Sequence, residues 1–514
     1  MQSSARTWIV VATAALSVFI SFLDTTVTNS SLPQIQGEIG ASGTEGTWIG
    51  TSYLAAETVM IPLTAWLSRM LGVRLFLIGS IVAFTGFSAV CGLSSSLPQM
   101  ILGRVGQGFA GGALIPLGLT IIATSLPPER QTLGIGIFAT TSVLAPAIGA
   151  PLGGWLTDSL GWSWIFFINL PIGLMLIAAA LYGIDKSPIK ASEFIRADWV
   201  GIIGLALSLG CLIVILEEGQ RKNWFESLEI CVLAIFSCMG AVFVAASQIW
   251  SKNPVLKIRL LKKPSMAAVV VCGMAMGFGF FASFYLPTVF LSYVAGYDAM
   301  QTGSINMYYG VTATLIMPFL AFAMTRLDIR ILIIGGFLVT GAAELLNTHL
   351  TAETGGAPFI LFLLIIGAST MVPALPLTQA ATTALAAEDV PDGSALFSVG
   401  RNLGGSVGLA LCGVSLDRRQ AFHQGHIESA VTGNSLIGQD RLQQMQNVLV
   451  EQGVDPVHAH LQALRMLQLA IEKEALVLAF SDTFWLLALL LFAVTPIALF
   501  IRGDIPKSGS QLAH

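Results

Sequence analysis

Long apolar stretches, each about the length of a bilayer crossing, alternate with short polar connections along almost the whole chain. About 20 helical residues cross a hydrocarbon core, and the pattern predicts fourteen such spans: 8–32, 47–69, 73–96, 98–123, 131–157, 162–184, 199–218, 228–250, 266–292, 302–325, 329–350, 357–385, 394–417 and 478–501. The first span carries the most informative polar positions. Ser17, Ser21, Asp24, Thr28 and Ser31 recur at steps of four, three, four and three, which sets all five on one side of a helix. A charge facing lipid near the bilayer centre costs roughly 2.5–3.5 kcal/mol. Asp24 is therefore expected to face other helices or a water-filled cavity.

Composition agrees with an all-α polytopic membrane protein and excludes a soluble domain: of 514 residues, 54% are hydrophobic and only 11% charged, and the mean hydropathy is +0.78. The lipid bilayer is the expected surrounding, and no nucleic-acid partner is expected. The first apolar run is too long for a signal-peptide core and carries Asp24, so it reads as an uncleaved span. Six cysteines lie in apolar runs without paired spacing and read as small packing residues. With the N-terminus in the cytoplasm, seventeen of the 25 Lys and Arg, Arg401 among them, fall on that side, which puts both termini there.

Two polar connections divide the chain. Asp185–Asp198 and a Lys-rich stretch ending at Lys263 flank spans seven and eight. The expected organisation is a six-helix bundle over 1–184, two linker spans with their flanking loops over 185–263, and a second six-helix bundle over 264–514 that includes an outer loop at 418–477. A weak repeat supports this: Leu114-Ile115-Pro116-Leu117 recurs as Ala374-Leu375-Pro376-Leu377. Paired repeats with a midplane site between them are common in secondary transporters. In the outer loop, Asp455-Pro456 predicts the start of an amphipathic helix leading into the last span. His423 and His426 there read as solvated, with no metal site expected.

The chemistry concentrates in the N-terminal half. At 1.5 Å per residue, Arg104 lies roughly 9 Å, Asp24 roughly 12 Å and Glu57 roughly 15 Å from the outer ends of their spans. Similar depth in three helices points to a shared polar site, with Gln107 beside Arg104. A desolvated carboxyl such as Glu57 favours its neutral form while a nearby arginine favours the charged one, as proton coupling requires. Glu344, near the outer end of span eleven, is expected to reach the interface. Gly106-x-Gly108-x-x-Gly111 and Gly404-Gly405-Ser406-Val407-Gly408 match a dinucleotide fingerprint and a nucleophile elbow, but both sit inside apolar spans without the required strand. No Gly-Lys pair, and hence no P-loop, occurs. An enzyme is not expected, nor any cofactor, and an ion gradient is the expected energy source.

Several segments together resemble the major facilitator superfamily, specifically the fourteen-span drug:proton antiporters of the EmrB/QacA type, and most closely the EmrB branch. The first-span signature is Leu23-Asp24-Thr25-Thr26-Val27-Thr28-Asn29-Ser30-Ser31-Leu32-Pro33. Arg104 with Gln107 and Gly108 matches the fourth-span motif, Gly149 with Gly153-Gly154 the antiporter motif of span five, and Trp162 to Gly173 is typical of the branch. The resemblance implies the major facilitator fold, two six-helix bundles plus two extra central helices, in the bacterial inner membrane. It also implies export of hydrophobic or amphipathic toxic compounds against inward proton flow, by alternating access. A periplasmic adaptor and an outer-membrane channel are the implied partners. A dedicated exporter of one native compound, such as a fatty acid, siderophore or bile-salt-like molecule, is the alternative in the same fold.

Under this reading Asp24 and Glu57 are the proton-coupling carboxylates, and Arg104 is their charge partner. Asp24, Thr28, Glu57 and Gln107 face substrate, with Glu57 a candidate for selecting cationic compounds. Gly108, Gly149, Pro151, Gly153 and Gly154 form the helix-packing motif. In the cytoplasmic motif around Arg69, Gly72 and Arg74, Arg69 stands where the superfamily usually has Asp, so a charge lock using that Asp is absent or rebuilt. The proline of the span-five motif falls one position late, at Pro151, and Ser30-Ser31 replaces an apolar pair.

Overall fold

The computed structural model describes residues 2–190, 194, 197–251, 254–383, 385, 389–431 and 436–501. The C-terminal 502–514, expected in the cytoplasm, lie outside the described residues. Six long helices form the first half: α1 (Gln2–Ser30), α2 (Trp48–Leu71), α3 (Val73–Gly92), α4 (Leu97–Ser125), α5 (Pro128–Leu160) and α6 (Asn169–Gly183). Two more follow, α7 (Trp199–Glu218) and α8 (Leu228–Trp250). The second half comprises α9 (Pro264–Tyr293), α10 (Ala299–Ala323), α11 (Ile329–Glu344), α12 (Ala357–Thr383), α13 (Val390–Ala430), α14 (Leu436–Glu451) and α15 (Pro456–Val494).

Among the described residues, eleven helices are long and apolar enough to cross a membrane, or twelve if the bent α5 counts as one span. The count falls short of the fourteen expected because α2 and α13 are too polar to qualify by composition. Thr51, Ser52, Glu57, Thr58, Thr64 and Ser68 of α2 are buried within the protein, where neighbouring helices, not lipid, receive them. α5 bends by 47° between Pro146 and Pro151, as prolines inside a helix dictate.

The packing repeats between the halves. α1 packs on α5 as α9 packs on α13, α2 on α4 as α10 on α12, and α3 on α6 as α11 on α15. The halves meet where α5 lies against α10 and where α13 lies against α2 and α4. α7 packs along α8 and also touches α2 and α13, one helix from each half. Its outer end explains why it stays there: the Glu218 carboxylate accepts hydrogen bonds from Thr51 at 2.9 Å and Thr47 at 3.1 Å at the start of α2. Gln220 just beyond it donates to Asp417 of α13 at 2.7 Å.

Small residues set the closest approaches. A Cβ at Gly108 would lie 2.3 Å from the Tyr53 carbonyl oxygen, and one at Gly112 2.4 Å from that of Glu57, so α2 and α4 are in backbone contact. Gly149 and Gly153 do the same for α5 against Thr26, Val27 and Ser30 of α1. The rest of the expected packing motif does not pack: Gly154 has open space beside it, and Pro151 is exposed. Helical phase is the reason, because 151 and 154 point away from α1 when 149 and 153 face it.

The outer segment is largely helix. α13 continues past the expected end at 417 to Ala430, and α15 begins at Pro456. Asp455 caps α15 as its sequence predicts, accepting from the backbone N–H groups of Val457 and His458. His423 is not solvated as expected. It bonds Asp482 of α15 at 2.6 Å, beside an Arg419–Asp482 pair.

These contacts predict opposite outcomes for two glycines. Gly112→Ala should destabilise the purified protein by about 1–3 kcal/mol through overpacking, visible as a lowered Tm in detergent. Gly154→Ala should leave Tm unchanged.

Candidate functional site

Two polar centres and a cavity lined by both halves carry the chemistry of the described residues. The first centre is wholly inside the N-terminal half. Asp24 of α1 and Arg104 of α4 form an ion pair at 2.5 Å, with side chains 1% and 0% exposed. A bare buried pair is costly, and the surrounding helices supply what it needs. Gln107 Nε2 donates to Asp24 Oδ1 at 3.1 Å, and Asn169 Nδ2 of α6 donates to the same oxygen at 2.8 Å. Arg104 Nε donates to the Ile49 carbonyl of α2 at 3.1 Å, its Nη1 to Gln107 Oε1 at 3.0 Å, and its guanidinium stacks over the Tyr53 ring at 4.2 Å. Asn169 also donates to Ser88 of α3 at 2.9 Å. Five helices thus converge on one carboxylate.

Sequence depth grouped Asp24, Arg104 and Glu57, with Gln107 beside Arg104; the structure joins Asp24, Arg104 and Gln107 by direct bonds and leaves Glu57 outside them. Asn169 was visible only as a member of a typical segment; its amide, alone in the apolar start of α6, was the available signal. Thr28 is on the expected stripe, but its hydroxyl donates to the Asp24 main-chain carbonyl at 2.7 Å, not to the carboxylate. Glu57 stands apart. Among the described residues it has no hydrogen-bond or salt-bridge partner, though it interacts electrostatically with Arg401 and Arg104.

Arg401 and Glu344 overturn their sequence readings. Arg401 counted with the cytoplasmic side, yet it lies well inside α13 and lines the cavity between the halves. Glu344 does not reach the interface: it is fully buried and accepts a hydrogen bond from Ser283 of α9. The space not filled by atoms in and around this cavity, open solvent included, is about 590 Å³. Phe22 and Phe138 face it from α1 and α5, and Phe280, Met371 and Arg401 from α9, α12 and α13. Asp24, Thr28, Glu57 and Gln107, expected to face substrate, are not in its wall.

The second polar centre ties the end of α2 and the connection before α9 to the start of α13. Arg69 at the end of α2 reaches Asp392 at the start of α13, at 2.8 Å. Lys257, in the connection before α9, bonds Asp389 at 2.5 Å and lies 3.3 Å from Asp392. Burial works against the Lys257 ammonium, but the two carboxylates outweigh it and hold its pKa above the usual lysine value. Arg69 thus joins α2 of the first half to α13 of the second by an ion pair in which it is the cation. Gly72 makes the turn that aims it, at φ +78° and closely packed on Ser187. Arg74 forms no ion pair among the described residues.

Two pseudo-equivalent helical bundles around a central cavity, with buried charges and no strand among the described residues, define a polytopic membrane protein of the secondary-transporter architecture. The model of the Major Facilitator Superfamily matches residues 14–409, and the chain belongs to that family. It is 29% identical over 497 residues to the colistin resistance protein EmrB of Acinetobacter baumannii, covering 96% of each chain. It is 30% identical over 483 residues to the multidrug export protein EmrB of Haemophilus influenzae, covering 92% of each. The human organic anion transporter MFSD10 (TETRAN) shares the fold, with a TM-score of 0.57 and 14% identity over 94% of this chain and 99% of that one.

Two measurements check the polar centres. Arg104→Ala should destabilise the protein by about 3–5 kcal/mol, because it strands Asp24 without a cation, whereas Arg104→Lys, which keeps the charge and loses the planar fork, should cost less. Thermal unfolding in detergent separates them, and equal losses would assign Arg104 a packing role only. Asp392→Asn removes the negative charge shared by Arg69 and Lys257. In a background cleared of native cysteines, it should speed labelling of a cysteine placed at Thr378 by a cytoplasmic, membrane-impermeant maleimide several-fold.

Proposed function

We propose that the protein is a proton-coupled multidrug exporter of the bacterial inner membrane, moving hydrophobic and amphipathic compounds outward by alternating access. The observation that carries this reading is similarity along almost the full length of both chains to proteins named for multidrug export and drug resistance. The apolar cavity between two repeated bundles supports it, since a rocking of one bundle against the other would expose such a cavity to each side in turn. In this reading α2 and α13 complete fourteen spans, residues 1–184 and 264–514 are the moving bundles, and α7 and α8 are an inserted pair. The Lys and Arg distribution favours cytoplasmic termini.

Asp24 and Glu57 are the proposed proton-coupling carboxylates, with Arg104 as their charge partner. Glu57 is the more available of the two: Asp24 is saturated by three donors, while Glu57 has none among the described residues. The outer hairpin of α13, α14 and α15 is the proposed docking site for a periplasmic adaptor leading to an outer-membrane channel. Its exposed Val457, Leu461 and Leu464 fall at helical spacing on α15.

Reconstituted protein under an imposed pH gradient tests the reading. Wild type should move a fluorescent amphipathic compound against its gradient, and no transport by folded protein would reject an exporter. Glu57→Gln should abolish pH-driven movement but retain substrate counterflow, which needs no net proton transfer. Replacing 432–455 and the adjoining exposed turns with a short Gly/Ser linker should leave vesicle transport intact and abolish whole-cell resistance. Unchanged resistance would remove the docking role.

A further inference from the structure

Among the described residues, the cavity between the halves has one ionisable side chain in its wall, Arg401. Phe22, Phe138, Met276, Phe280, Phe281 and Met371 supply most of the remainder. The wall's hydroxyl hydrogens are already committed: Ser142 donates to the Phe138 carbonyl at 2.9 Å, Thr370 to that of Ile366 at 2.8 Å, and Thr378 to that of Ala374 at 2.7 Å. Arg401 is differently placed. Its one hydrogen bond is a long contact of 3.5 Å to its neighbour Asn402, and no carboxylate pairs with it among the described residues. Glu57, the acid whose charge it feels, belongs to the opposite half and makes no salt bridge to it.

The guanidinium is also held in place. The Phe22 ring lies 5.4 Å from it, within reach of a cation–π contact. Its helix cannot shift freely, because α9 touches the α13 backbone here: a Cβ at Gly277 would lie 1.9 Å from the Arg401 carbonyl oxygen. A planar fork of donors fixed in an aromatic wall matches a delocalised or carboxylate-type anion far better than a cation, which the same guanidinium repels.

We propose that this cavity selects hydrophobic compounds carrying a single negative charge, with Arg401 as the residue that sets the preference. The inference rests on the exporter reading and assigns its substrate class; it displaces Glu57 as the selector of cationic compounds. Aromatic rings of the wall would hold the apolar body, and Arg401 the charged centre. Neutral compounds would use the aromatic wall alone and bind more weakly.

Tetraphenylborate and tetraphenylphosphonium have nearly the same shape and opposite charge, so their comparison isolates the sign. Binding is measured on the detergent-purified full chain by scintillation proximity. Wild type should bind the borate at least about tenfold more tightly than the phosphonium, as expected of a charge-assisted contact in a desolvated site. Arg401→Gln should bring the two within about threefold, and Arg401→Lys, which keeps the charge, should retain the order. Equal or tighter binding of the phosphonium by wild type would overturn the proposal, as would an undiminished preference for the borate in folded Arg401→Gln. Wild-type transport of both ions under a pH gradient separates the two levels. Export with a preference for the cation rejects the anion assignment alone, whereas borate binding without export of either ion rejects the exporter reading and leaves the assigned charge preference standing.

Discussion

The N-terminal half depends on the ion pair between Asp24 and Arg104. Two opposite charges removed from water at this depth cost several kcal/mol each before their attraction is counted. The cost is offset only because α2, α3, α4 and α6 all deliver polar groups to the same point. Ile49 gives a carbonyl, Gln107 and Asn169 give amides, and Tyr53 gives a ring face. Each of these positions needs its helix at a particular distance and rotation. The glycines at 108 and 112 follow from that requirement, since they let α2 approach α4 closely enough for Ile49 and Tyr53 to reach the arginine. Polar specification and close packing are one constraint seen from two sides.

The repeat that builds the C-terminal half copies the packing but not this chemistry. α9 replaces the polar stripe of α1 with glycine, alanine, methionine and phenylalanine. Of its buried acids, Asp392 meets Arg69 of the other half, while Glu344 of α11 meets a serine instead of a cation. Its buried cation, Arg401, faces the cavity instead of a carboxylate. The first half therefore pairs Asp24 and Arg104 internally and leaves Glu57 without a partner among the described residues, while the second presents Arg401 at the common boundary. Such an arrangement separates a rigid frame from a surface able to respond to a ligand.

Much of the frame was legible in the sequence because intramembrane charge is rare and depth can be counted from a span's end. Asp24, Arg104 and Gln107 were found that way, as was the helix start at Asp455-Pro456. Arg401 was missed for the converse reason. It lies near a span end in a glycine-rich, weakly apolar helix, so counting it as cytoplasmic satisfied the charge rule at no cost. Span counting likewise could not foresee that α13 runs on to Ala430, because the polar residues past 417 end an apolar pattern without ending a helix. The partner of Arg69 was illegible in principle: Asp392 is 323 residues away, and no local periodicity reports such a contact.

The placement of ion pairs relative to the boundary between halves bears on how such a molecule can move. Arg69–Asp392 crosses that boundary, Lys257–Asp389 joins the connection before α9 to the start of α13, and both cations are about one-third exposed. Solvent at the cations screens both pairs, more at Lys257–Asp389, whose carboxylate is also partly exposed, than at Arg69–Asp392, whose carboxylate is buried. Asp24–Arg104 does not cross the boundary and is out of reach of solvent. A rigid-body rocking of the halves must break Arg69–Asp392 and can leave Asp24–Arg104 untouched. Had Asp24–Arg104 bridged the halves, opening would have to expose or strand two enclosed charges, whereas Arg69–Asp392 has one enclosed charge and a cation that solvent already reaches. Screened charges at the seam and enclosed ones inside a bundle are the distribution that lets a molecule be rigid in its parts and mobile between them.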